Sequence, residues 1–251
     1  MIRLLLSAVS LHGCSFVLVD EPCDTGQVSV QDETGAVPEL LFSAVGTGAT
    51  HTCGILDSGE VLCWGLDDEG QTDAPDGRFS ALAVGHAHAC ALDEDGAAQC
   101  WGRNDDRQSE LTGSFVEITA GGAHSCGLGA AGEITCVGSN DWGQLDVPRG
   151  VYQAVAAGAK HTCAVTEPTA DGLASLVCWG ALASVGSDDE RARSVISGTD
   201  WSCGAFTDTE PTVSCTGDSS LGQHDVPGVI DFSSAVAGAR HGCGLDETGA
   251  V

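Results

Sequence analysis

The chain has 251 residues, 36 acidic against 9 basic, and a formal net charge of −27. That balance excludes nucleic acid and anionic membrane surfaces as partners, because phosphate binding needs clustered lysine and arginine. Glycine fills 35 positions, about twice its usual ~7% share, which argues for many turns rather than long amphipathic helices; a 42% apolar content is enough for a buried core.

The first predicted element is an export signal over residues 1–13. Arg3 precedes a mainly apolar run from Leu4 to Leu11, followed by small residues. Such a run is too short to span a bilayer, which takes about 20 residues, and it fits a secretory signal. Leu11, His12, Gly13 and Cys14 resemble the lipobox of bacterial lipoproteins, although His12 departs from the small or β-branched residue usual there. The resemblance implies acylation of Cys14 and an extracytoplasmic location, either lipid-anchored in a bacterial cell envelope or secreted. A lipid would then be the chain's one contact with a membrane. Thirteen cysteines agree with an oxidising compartment. Residues 14–41 read as a tether or a closing strand.

From residue 42 onward the chain repeats itself. The phrase G-x-x-H-x-C recurs six times, once with tryptophan for the histidine, with its cysteines at Cys53, Cys90, Cys126, Cys163, Cys203 and Cys243, at steps of 37, 36, 37, 40 and 40 residues. A short strand precedes each copy, led by an aromatic residue in all but the fifth. A second cysteine follows in five copies, at Cys63, Cys100, Cys136, Cys178 and Cys215. Between the two cysteines, apolar runs flank a polar centre with a glycine (Gly59, Gly96, Gly132, Gly249), the pattern of a hairpin whose turn needs a positive φ. With a three-residue loop, Cys53 and Cys63 would stand directly opposite each other, within reach of a disulfide. Longer tips at Glu167–Leu176 and Thr207–Thr212 distinguish copies four and five. A unit of three or four short strands in about 37 residues has the size of one β-propeller blade.

The string G-x-x-H-T-C, a hairpin, C-W-G and then N-D-x-G-Q-L resembles the regulator-of-chromosome-condensation repeat, especially its bacterial secreted branch. The resemblance covers 42–251 and implies an all-β propeller, here of about six tandem repeats with the last incomplete. It implies no single chemistry, since that family ranges from a nucleotide exchange factor to an inhibitor of β-lactamase. Propellers of this family commonly close by completing one terminal blade with the other terminus. On that pattern Phe16–Cys23 would complete the last blade and Cys23 would bond Cys243. A truncated ring is the alternative.

His51, His88, His124, His161 and His241 recur two residues before the first cysteine, with Trp201 at that place in copy five. A ring of imidazoles would suit a metal, but strand periodicity puts each histidine on its cysteine's face, and tryptophan fits packing better than ligation. They read as repeated buried contacts, with no metal and no cofactor. The acidic loops LDDEG, NDDRQ and GSDDER have oxygen ligands for calcium, yet none has the spacing of a helix-loop-helix site; they read as a solvated rim. The loop around Asp141 reads as a turn between blades. No nucleophile elbow or H-E-x-x-H helix marks a catalytic residue. The expected function is therefore an exported, non-catalytic, monomeric scaffold that binds a protein with a basic surface, or inhibits an extracytoplasmic one. The alternatives are a hydrolase or lyase with its site in the propeller channel, and a fragment of a longer repeat protein.

Overall fold

The structure, a computed structural model, describes residues 41–182, 184–185, 192–207, 211–225 and 232–246. The signal segment, Cys14, Cys23, Gly249, the GSDDER loop and residues 208–210 of the Thr207–Thr212 tip lie outside the described residues.

Every described element is a strand. The first three sheets are β1 (Phe42–Thr47), β2 (His51–Leu56) and β3 (Val61–Gly65); β4 (Phe79–Val84), β5 (His88–Asp93) and β6 (Ala98–Gly102); and β7 (Glu117–Ala120), β8 (His124–Leu128) and β9 (Ile134–Gly138). The fourth comprises β10 (Tyr152–Ala157), β11 (His161–Thr166), β12 (Leu176–Gly180) and a short β13 (Ser184–Val185). The fifth holds β14 (Ala192–Ser197), β15 (Trp201–Thr207) and β16 (Pro211–Gly217), and the sixth pairs β17 (Phe232–Ala237) with β18 (Gly242–Asp246). All pairings are antiparallel, in chain order.

The repeat sequence explains the shape of each sheet. The hairpin turns carry glycine in the left-handed region, at φ 89° for Gly59 and 81° for Gly96, a conformation that costs other residues steric strain. That turn sets Cys53 opposite Cys63, and likewise Cys90 opposite Cys100 and Cys126 opposite Cys136. The longer tips in copies four and five preserve the register, with Cys163 opposite Cys178 and Cys203 opposite Cys215. All five pairs lie at disulfide distance.

A three-stranded sheet has two faces to bury, and the consecutive sheets bury theirs against one another. The first strand of each sheet packs on the first strand of the sheet before it, as β4 does on β1 and β7 on β4. The first strands therefore gather at a hub, and the third strands lie farthest from it. The apolar core is divided into slabs, one at each junction. Cys53 and Ile55 meet Phe79 and Trp101; Cys90 and Leu92 meet Leu111 and Phe115; Cys126 and Leu128 meet Tyr152 and Trp179. At the fourth junction Ala192 stands in place of the leading aromatic, and Leu176 and Ala174 fill the slab. Among the described residues the sheets do not close into a complete ring.

Main-chain bonds stitch both ends of each junction. At one end the hairpin turn of each sheet accepts from the next first strand, as in Phe79 N–H to Gly59 O (2.8 Å) and Tyr152 N–H to Gly132 O (2.9 Å). At the other end the G-x-x-H turns bond to each other in series: Ala49 N–H to His86 O, His86 N–H to Gly121 O, and Gly122 N–H to Gly158 O.

Candidate functional site: the glutamine-pinned loop face

The end that carries the G-x-x-H turns also carries the loops that follow β3, β6, β9 and β16. Each of these loops contains a buried glutamine: Gln71, Gln108, Gln144 and Gln223. Its Oε1 accepts the main-chain N–H of the residue two positions earlier: Glu69 (2.7 Å), Asp106 (2.9 Å), Trp142 (2.9 Å) and Leu221 (2.8 Å). Those four residues therefore project from the same vertex of the same turn. The residue between them and the glutamine needs a left-handed backbone. It is Gly70, Gly143 or Gly222 in three loops and Arg107, at φ 68°, in the second.

The glutamine carbonyl, in turn, holds the next sheet. Gln71 O accepts from Trp101 Nε1 at 3.1 Å, and Gln144 O accepts both Trp179 Nε1 at 2.8 Å and Thr162 Oγ1 at 3.0 Å. Gln108 O accepts Ser125 Oγ at 2.8 Å. Because Ser125 and Thr162 give their protons to these carbonyls, they must accept from the ring nitrogens that meet them. His88 Nε2 lies 2.9 Å from Ser125 Oγ, and His124 Nε2 lies 3.0 Å from Thr162 Oγ1. Each imidazole thus carries a proton on Nε2. Copy four lacks the glutamine loop; there His161 Nε2 meets Ser202 Oγ at 2.7 Å, Ser202 meets Ser197 Oγ, and Ser197 donates to Ala156 O.

His51, His88, His124 and His161 are buried as the repeat pattern implies, but the last three clasp the following sheet rather than their own. Burial holds His88 and His161 at about 4 and His124 at about 3, and lowers His51 as well. The ring packs so tightly that the glycine three residues earlier has no room for a side chain: a β-carbon on Gly85 would fall 2.4 Å from His88 Cε1 and 2.6 Å from Gly121 O. His241, in the sixth sheet, is exposed.

The outer surface of this face is graded. The first loop exposes Asp67, Asp68, Glu69 and Asp73. Asp67 and Asp68 also brace the turn, accepting Thr72 N–H (2.8 Å) and Gln71 Nε2 (2.9 Å). In the second loop the acids are partly neutralised, by Arg103 on Asp105 (2.9 Å) and Arg107 on Glu110 (2.8 Å). In the third, Trp142 is 55% exposed, with Lys160 Nζ over its ring at 4.7 Å. In the fifth repeat the same vertex carries Leu221, 60% exposed. One face thus runs from acidic to aromatic to aliphatic.

Asp141 belongs to the third loop, which does form a turn between blades, through Gln144. The tip at Glu167–Leu176 lies at the opposite end of the sheets, beside Val151, whose carbonyl accepts Glu167 N–H at 2.7 Å. Cys243 is exposed and has no disulfide partner among the described residues. The sequence pattern contained an unused signal for the clasp: Gln71, Gln108 and Gln144 each follow the first cysteine of their repeat by 18 residues.

Residues 42–71 and 79–108 match the regulator of chromosome condensation (RCC1) repeat. No curated protein matches the chain by sequence. Among solved structures, the ectodomain of the moss Physcomitrella patens receptor kinase CR4 is similar, at 27% identity and TM-score 0.65, over 87% of this chain and 62% of that one. The chain therefore spans less than two thirds of the moss ectodomain. The CRINKLY WD40 ectodomain of the Arabidopsis thaliana receptor kinase ACR4 is similar at 23% identity and TM-score 0.64, over 84% and 78% of the two chains. Yeast RCC1 (Prp20), solved bound to Kap60, shares the fold at 17% identity and TM-score 0.63, over 90% and 72%. Residues 42–71 and 79–108 are thus repeats of the regulator of chromosome condensation type, set in an all-β chain of tandem sheets that resembles the propellers of that family.

Proposed function

We propose that the protein is an exported, non-catalytic scaffold that binds another protein through the glutamine-pinned loop face. The observation that carries this reading is Trp142, a largely exposed tryptophan held on a rigid turn. Exposed aromatic anchors of this kind are enriched at the energetic centres of protein interfaces, and surface loops on a rigid scaffold are the usual place for recognition. Yeast Prp20, with the same fold, is described with Kap60 and by its binding to Gsp1p and histones, so the architecture is one that binds proteins.

Charge selects the class of partner. A chain with net charge −27, exposing Asp67, Asp68, Glu69 and Asp73 beside one another, favours a basic surface that reaches the first loop while an apolar group covers Trp142. The disulfide pairs support an oxidising compartment. Export through residues 1–13, acylation at Cys14 and a Cys23–Cys243 bond completing the sixth sheet belong to the same reading.

The test is retention of an extracytoplasmic protein on the immobilised, purified chain at two ionic strengths. Raising salt weakens retention by screening the acidic loop. Trp142→Ala lowers it at least tenfold, whereas Val151→Ala at the opposite end leaves it unchanged. Retention indifferent to both salt and Trp142→Ala overturns the proposal.

A further inference from the structure

The first junction breaks the pattern of the next three. His51 is as buried as its counterparts, yet neither Nδ1 nor Nε2 has a hydrogen-bond partner. An unpartnered Nδ1 is common to the repeat, since His88 and His124 share it; an unpartnered Nε2 sets His51 apart from them and from His161. The cause is one residue. The position that supplies Ser125, Thr162 and Ser202 at the later junctions is Ala89 here, fully buried and without a hydroxyl.

The second and third junctions, which keep the glutamine, define where an oxygen belongs. The hydroxyl stands about 3 Å from the preceding sheet's Nε2 and about 3 Å from the glutamine carbonyl, with a cystine sulfur beside it: Cys90 Sγ is 3.5 Å from Ser125 Oγ. At the first junction His51 Nε2, Gln71 O and Cys53 hold the corresponding positions. Gln71 O already accepts Trp101 Nε1, but Gln144 O shows that the same carbonyl accepts an indole and a hydroxyl together.

We propose that this junction is a binding site for one buried water molecule, which accepts from His51 Nε2–H, donates to the main-chain carbonyl of Gln71 and replaces the hydroxyl that Ala89 lacks. A water has the required chemistry because the site needs one acceptor and one donor at a single oxygen. Buried polar groups without protein partners are commonly satisfied in this way. The inference is independent of the loop face and of any partner.

A high-resolution crystal structure of the whole chain tests it directly. The expected result is a solvent peak within about 3.2 Å of both His51 Nε2 and Gln71 O. No peak there, or a protein group bonded to His51 Nε2, overturns the proposal. Ala89→Ser gives a second reading: the introduced hydroxyl displaces the water, the Nε2–H resonance of His51 shifts, and Tm rises by about 2–4 °C. An unchanged resonance and an unchanged or lower Tm in a folded Ala89→Ser protein count against it.

Discussion

Trp201 is fitted to Gly242 across the fifth junction. A β-carbon on Gly242 would stand 3.2 Å from Trp201 Cη2, and the indole Nε1 donates instead to Ala239 O at 3.1 Å. Elsewhere the first position of this pair is histidine and the second a hydroxyl residue or Ala89. A tryptophan thus appears where the next sheet has no side chain to meet an imidazole. Trp201→His alone should destabilise the protein, because it removes indole packing and leaves a buried ring nitrogen unpaired. Gly242→Ser alone should also destabilise it, by crowding the indole. The two together rebuild the clasp of the other junctions and should recover about 1–2 kcal/mol of the summed loss. Urea unfolding of the four proteins measures this; additive losses would mean that the two positions act independently.

The two hydroxyls between sheets two, three and four should not weigh equally. Removing either strands a buried His Nε2–H, at about 1–3 kcal/mol. Ser125→Ala also takes from Gln108 O the one donor it has among the described hydrogen bonds, whereas Thr162→Val leaves Gln144 O bonded to Trp179 Nε1. Thr162→Val also conserves volume. Ser125→Ala is therefore the costlier change, by about 1 kcal/mol in thermal or denaturant unfolding; the reverse order would contradict the clasp.

Acid should loosen the junctions. An unfolded histidine titrates near 6.5, while burial holds His88, His124 and His161 at about 4, 3 and 4. Below pH 6.5 the unfolded chain takes up protons that the folded chain refuses. Stability present above pH 6.5 is therefore lost as pH falls toward 4, by about 2 kcal/mol per histidine at pH 5. Glu117 on the hub strand β7 works in the opposite direction. Burial raises its carboxyl to about 7, against which the Val155 main chain pulls weakly, so its contribution is greatest below pH 4.5 and is lost as pH rises through 7. Three groups outweigh one, and Tm should drop between pH 7 and pH 5. Glu117→Gln removes the opposing slope, raising Tm at pH 8 and steepening the acid loss. A Tm that is flat from pH 7 to 5 in both proteins would refute the assignment.

The sheets could be read from the sequence because the cysteine period, the turn glycine and the leading aromatic are local and recur in most copies. The hairpin register follows from Gly59 and Gly96, which set Cys53 opposite Cys63 through local turn geometry alone. The clasp could not be read the same way. His88 meets a residue 37 positions away in a different sheet, and within one repeat nothing distinguishes a histidine bonded to its own cysteine's neighbourhood from one bonded across a junction. The glutamine was visible as a letter in the G-Q-L string, but its part lies in a main-chain carbonyl that every residue has. Trp142 likewise looked like one variable letter in a turn. Its exposure became evident only when Oε1 of Gln144 fixed the direction of that vertex.

The cystines are a second, covalent support for the same sheets, and they should be separable from the clasp. Each closes a loop of 10 to 15 residues, worth about 3 kcal/mol in the chain-entropy account, with a difference of only about 0.4 kcal/mol between the shortest and the longest. Loop length therefore predicts nearly equal losses for Cys53→Ala/Cys63→Ala and Cys163→Ala/Cys178→Ala. Packing predicts otherwise. Cys163 and Cys178 are both buried in the slab at the fourth junction, where Ala192 replaces the leading aromatic, while Cys63 is only half-buried. The fourth-sheet pair should cost at least 1 kcal/mol more, because its removal leaves a cavity with little side-chain volume nearby to fill it. Urea unfolding of the two double variants under oxidising conditions checks the order, and equal losses would assign the whole effect to loop closure.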